Sequence, residues 1–202
     1  MTSRRAFLQI GITASAWPLA SSAVRAAGAE LPGADPLALY KVIYDQRFAD
    51  STAFADRAAA LGLPVHAIDG DMTRFWYDEL YHRWKQGPAA IAGLTAHGPM
   101  FCFEQLAQDQ GMRVVFRAEH QFGPGGDVEH ELTGPLSMLQ HSLALNGGRA
   151  DWAACMAEVV AHCPKGRAEI SCTAAASAAR LRSAAPDSES LYSWVIAPAV
   201  RV

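Results

Sequence analysis

Residues 88–122 read PAAIAGLTAHGPMFCFEQLAQDQGMRVVFRAEHQF, and the fold class turns on them. Ala89 to Leu94 is a short apolar run without alternation, and Val114 to Phe116 resumes that character after a helix-length interval. Continuous apolar strands separated by helices point to a parallel sheet covered on both faces. Pro99 suits the first turn of the intervening helix, where its missing N–H has no intrahelical partner, and Gly111 ends it. Phe103, Leu106 and Ala107, with Cys102 beside them, recur at helical spacing and are expected to face the sheet, Cys102 as a buried thiol.

Working outward, Leu39 to Tyr44 reads as a first strand, followed by a helix capped by Ser51 and stopped at Gly62. Leu63 to Ile68 reads as a second strand. After it, Asp69-Gly70-Asp71 forms a turn with an N-cap, and residues 72–86 form a helix with Trp76, Leu80 and Trp84 on one face. Beyond Phe122 the pattern changes. Gly123-Pro124-Gly125-Gly126 closes a hairpin with Asp127 to Leu132, a register that sets Glu119 opposite His130 and His120 opposite Glu129. Helices are expected over Pro135 to Leu145, Asp151 to Cys163 and the alanine-rich 173–183, with a last strand over Leu191 to Ala197. The sum is an α/β fold in three layers, flavodoxin-like or Rossmann-like, with a mostly parallel sheet, a β-hairpin and a late C-terminal strand.

The first residues have a different character. Ser3-Arg4-Arg5-Ala6-Phe7-Leu8 is followed by an uncharged stretch to Val24, then Arg25 and the small-residue run Ala26-Ala27-Gly28-Ala29. This order of basic, apolar and cleavage regions resembles the twin-arginine (Tat) export signal, with Gln9 where that pattern often has Lys. The apolar part is short for a membrane span and holds Pro18, and no Cys lies near the cleavage region to take a lipid. The resemblance implies a signal peptide over 1–29; after a tether over 30–38, the length of chain that remains suits a single domain over 39–202. It also implies a soluble periplasmic protein without a membrane anchor, exported folded, in some Tat passengers because a cofactor or a partner protein is loaded first.

Composition narrows the partners. Loss of Arg4, Arg5 and Arg25 with the signal reduces 17 basic residues to 14 against 20 acidic ones, a charge of about −6. Nucleic acid, which is bound through clustered basic side chains, is not an expected partner. Four cysteines occur. Cys155 and Cys163 are too far apart along one helix to bond each other, so a bridge from Cys163 to Cys172, one from Cys155 to Cys172, or none, remain the alternatives.

In open parallel sheets the ligand crevice lies beyond the carboxyl ends of the strands. Those ends carry Asp45 and Arg47, Asp69 and Asp71, Thr95 and His97, with Arg117 further along. His97, Asp69 and Asp71 are the candidates for proton transfer, and Asp45, Arg47, Thr95 and Arg117 for holding a ligand. Capping and turn chemistry accounts equally for the Asp pair. A second candidate is a metal held by Glu119, His120, Glu129 and His130, a donor set suited to zinc, iron or copper, against which stand ordinary Glu–His surface pairs. No nucleotide-binding loop, Cys-x-x-Cys pair or Gly-x-Ser-x-Gly motif is present. Two functions follow. One is an accessory protein or small subunit exported with a redox enzyme, and the other is an enzyme or small-ligand binder that uses the strand-end residues, with cofactor and reaction unassigned.

Overall fold

The computed structural model describes residues 36–123, 127–136, 138–139, 151–165, 171–179 and 189–199, with the backbone alone for 127 and 171–179. Its centre is a seven-stranded sheet in the order β2-β1-β3-β7-β4-β5-β6. The strands are β1 (Leu39–Asp45), β2 (Val65–Ile68), β3 (Ala90–Ala96), β4 (Met112–Phe122), β5 (Asp127–Pro135), β6 (Ser171–Ala179) and β7 (Leu191–Pro198). Only β1 with β2 and β1 with β3 pair in parallel, and the other four pairings are antiparallel. The fold is therefore mixed α/β, and the mostly parallel sheet expected from sequence is corrected. The reason lies in β7, whose buried run LYSWVIAP inserts between β3 and β4 and runs against both.

The helices are α1 (Ala49–Ala60), α2 (73–85), α3 (His97–Gln108) and α4 (Trp152–Ala161). On one side of the sheet Phe54 and Ala58 of α1 and Trp152, Met156 and Val160 of α4 share a core with Val42, Leu94, Phe116 and Val195. On the other, Phe75, Leu80 and Trp84 of α2 and Met100, Phe103 and Ala107 of α3 pack on Ile43, Ile91, Trp194 and Ile196. Each fully buried side chain of this size stabilises the fold by about 1.5–3 kcal/mol. Asp151 caps α4 by accepting from the Ala154 N–H. The end of the expected tether is anchored there too, since the Leu37 N–H donates to the Cys163 carbonyl.

Several expectations are revised. Ser51 does not cap α1; it lies inside the helix, and its hydroxyl donates to the Leu94 carbonyl at 2.7 Å, tying α1 to β3. Cys102 is exposed, because the buried stripe of α3 runs through Pro99, Met100, Phe103 and Ala107 instead. Of residues 173–183, expected to be helical, 173–179 belong to strand β6, in register with β5 from Ser171 opposite Pro135 to Ala179 opposite Asp127, and 180–183 lie outside the described residues. Tertiary pairing overrides the helix propensity of alanine there. Of the helix expected over 135–145, Pro135 belongs to β5, Leu136, Met138 and Leu139 are helical as expected, and residues 137 and 140–145 lie outside the described residues.

Candidate functional site

At the carboxyl end of β2 the chain turns through Asp69, Gly70 and Asp71 into α2, and a cleft of about 240 Å³ opens there. Its floor is Ile68, Phe75 and the His66 ring, which lies 4.2 Å from Phe75 between centroids. Its rim is Asp69, Asp71, Asp78 and Glu79, with Arg74 and Gln46. Asp71 accepts from the Thr73 N–H at 2.8 Å, which opens α2, and hydrogen bonding from the Thr73 side chain first and its N–H second holds the carboxyl below the usual range.

The middle turn of α2, Trp76–Leu80, is π-helical, an irregularity that recurs at functional sites. It keeps Leu80 and Trp84 in the core while Glu79 reaches back to β1, where it accepts from the Tyr40 hydroxyl at 2.9 Å and meets the Lys41 ammonium at 2.7 Å. Burial alone would raise the Glu79 carboxyl, but Lys41 and Tyr40 outweigh it and hold the group charged. Burial pushes the His66 imidazole down, so it presents a neutral ring to the cleft near neutral pH.

The strand-end residues predicted to converge are divided. Asp69 and Asp71 line the cleft. Asp45, fully buried, is held by Arg47 through two hydrogen bonds of 2.9 and 2.7 Å, so the pair satisfies itself. Gly70 lets the Arg47 guanidinium lie across the turn: its φ is +91°, and a Cβ there would sit 2.5 Å from the guanidinium carbon. Thr95 is buried and accepts from the Trp194 indole N–H at 3.1 Å. Arg117 donates to Glu104 of α3 at 2.8 Å. His97 is exposed at the start of α3, stacked on Phe101 and edge-on to Tyr192, and it does not line the cleft.

The hairpin register differs by one residue from the expected one, with His120 opposite His130, Glu119 opposite Glu131 and Gln121 opposite Glu129. A one-residue slip flips every side chain, and burial of Phe116, Ala118, Val128 and Leu132 on one face decides the register. Both histidines therefore point into the core beneath Trp152, while Glu129 is exposed. The four-residue metal set is not assembled, and among the described residues no group of three or more His, Cys, Asp or Glu is placed to hold a metal.

What the register does assemble is a buried chain. His120 Nδ1 lies 2.6 Å from His130 Nδ1, and His120 Nε2 lies 2.5 Å from the Ser193 hydroxyl. Burial, with the neighbouring His130, pushes His120 well below the ordinary histidine value, and burial pushes His130 down to about 4. Ser193 is fully buried, so this serine and histidine in contact present no nucleophile to a substrate. Cys163 is a buried thiol that burial pushes up to about 12, and the side chain of Cys172 lies outside the described residues.

Sequence reasoning did not find Asp78, Glu79 and His66 as partners of Asp69 and Asp71. The signal available was four carboxylates within residues 69–79; the π turn that aims the last of them leaves no mark on composition. Ser193 was detectable as the polar residue inside the apolar run of β7. Comparison with known proteins gives no matching family model, no matching curated protein and no matching solved structure. Among the described residues no helix is long and apolar enough to cross a membrane.

Proposed function

We propose that this chain is a small-ligand-binding protein, exported by the Tat route to the periplasm, and that the cleft at the end of β2 receives a cationic organic group. The observation that carries the reading is the excess of carboxylate over an aromatic floor. Asp69, Asp71, Asp78 and Glu79 face Arg74 on Asp78, Lys41 on Glu79 and, across the turn, the Arg47 guanidinium that Asp45 already holds and Asp69 attracts, so the carboxylates of the cleft outnumber the cations free to neutralise them and Asp71 has no ion pair among the described residues. An amine or guanidinium placed there gains charge-assisted hydrogen bonds to the carboxylates of the rim. The volume of about 240 Å³ is below that of drug-sized sites and limits the ligand to a few heavy atoms beyond the cation. We read the β2-β1-β3 half as a doubly wound, flavodoxin-like unit, in which a ligand at the strand carboxyl ends is the usual arrangement.

Isothermal titration with butane-1,4-diamine, butylguanidinium and butanedioate tests this. The two cations are expected to bind and the dianion not to, with affinity falling as salt rises. Asp69→Asn with Asp71→Asn, which keeps a capping oxygen at 71, is expected to weaken binding about tenfold. Equal response to cation and dianion contradicts the reading. The segment Ser3-Arg4-Arg5-Ala6-Phe7-Leu8 supports a second reading, an accessory subunit exported with a redox enzyme. Recovery of a stoichiometric partner from periplasm at native expression is its test, and a chain recovered alone contradicts it.

A further inference from the structure

The buried chain Ser193–His120–His130 takes no part in the cleft, and its proton count is constrained by geometry. Two ring nitrogens 2.6 Å apart hold one proton between them, so one histidine donates from Nδ1 and the other accepts. If Ser193 donated to His120, then His120 would donate to His130 and leave the His130 Nε2–H buried without an acceptor. In the reverse direction His130 Nδ1–H donates to His120, His120 Nε2–H donates to Ser193, and His130 Nε2 carries a bare lone pair. Buried acceptors without partners are tolerated better than buried donors, and among the described residues His130 Nε2 has no hydrogen-bond partner.

That lone pair is the one place where a proton from solvent can be added without breaking a hydrogen bond. The product is an imidazolium at His130 still donating through Nδ1 to neutral His120, with both links strengthened by charge. A second proton can go only to His120 Nδ1, which turns the acceptor into a donor and sets two N–H groups against each other.

Among the described residues no charge on the packed elements compensates. The facing groups are the Ser193 hydroxyl from β7, the Trp152 ring from α4, and Phe116, Ala118, Val128 and Leu132 from the hairpin itself. Ala176 of β6 stands opposite His130, and residues 174–178 of that strand are non-ionisable. The charges of α4 are engaged elsewhere, Glu158 on Arg57 and Asp151 on the Ala154 N–H. We propose that His130, His120 and Ser193 form a buried single-proton store that latches the β4–β5 hairpin beneath α4, and that a second proton releases α4. The device is an acid-operated switch: the loaded, one-proton state remains folded, and the two-proton state exposes the Trp152 face of α4.

Histidine side-chain nitrogen NMR on the full chain, titrated from pH 8 to pH 3 alongside hydrogen exchange of α4, tests the proposal. Expected is a first proton appearing at His130 Nε2 while both His120 nitrogens keep their state and α4 stays protected. Loss of α4 protection then accompanies the second proton, with protection of β1 and β3 lost at lower pH or not at all. Two rings that titrate independently near the ordinary histidine value in the folded protein overturn the proposal, as does protection of α4 unchanged through the second proton. The double variant His120→Leu/His130→Leu, which replaces both partners with apolar groups, is expected to keep α4 protected at least one pH unit lower. The same acid midpoint in that variant as in the parent also overturns it, and if the variant does not fold, the nitrogen titration of the parent decides alone.

Discussion

Asp45 has no exposed surface and one counterion, Arg47, half of whose side chain is in water. Removing the guanidinium leaves a carboxylate buried without its partner, a situation that costs about 3 kcal/mol. Arg47→Ala is therefore expected to lower the free energy of unfolding by about that amount in urea titration at pH 7. Gly70→Ala is expected to act in the same direction, since a side chain at its φ of +91° is strained and the added Cβ displaces the Arg47 guanidinium.

His130 makes a complementary claim about pH. Its folded-state value of about 4 lies below the unfolded value near 6.5, so the stability it contributes is fully present above pH 6.5 and is lost as pH falls toward 4. The difference corresponds to roughly 3 kcal/mol. Urea midpoints at pH 7.5 and pH 4.5 check it: the chain should be less stable at the lower pH, and His130→Leu should flatten that dependence.

At the scale of elements, β3 lies close against β1 and β7 at Gly93. A Cβ on Gly93 would strike the Ile43 carbonyl oxygen and come within 2.7 Å of the Trp194 ring, and the carbonyl cannot move without disturbing the β1–β3 ladder. Gly93→Ala is expected to cost about 2 kcal/mol or more, read as a lower melting temperature with the sheet signal retained.

The elements that were legible in sequence share a property: their own residues determine them. β1 and β3 are apolar runs closed by turn chemistry, and α2 and α3 carry helical-period apolar faces. Those that were not legible depend on something distant in the chain. The alanines of β6 state a helix locally and become a strand only because β5 offers a complete ladder. The place of β7 between β3 and β4 follows from a pairing across almost a hundred residues, for which β7 itself gives no address. The hairpin register hung on whether the loop takes four residues or five, and apolar burial settled it.

The whole molecule separates its two polar features by sheet position. The acidic cleft lies at the β2 edge, and the buried histidines lie under α4 in the antiparallel half. The candidate site was half legible: Asp69 and Asp71 followed from the rule that ligands gather at strand carboxyl ends, but Asp78 and Glu79 are brought to them by the irregular turn in α2. His97, at the carboxyl end of β3, obeys the same rule and is turned toward Phe101 and Tyr192 instead. The rule locates an edge of the sheet, and side-chain packing decides which residues on that edge meet.

Backbone amide NMR of the full chain titrated with butane-1,4-diamine tests the central claim most directly, because it reports where the cation sits as well as whether it binds. The cleft account predicts saturable shifts at Ala67, Asp69, Gly70, Asp71 and Phe75 that vanish in the Asp69→Asn/Asp71→Asn variant. Shifts centred on His97 to Phe101, or no saturable shift at any residue, would contradict it.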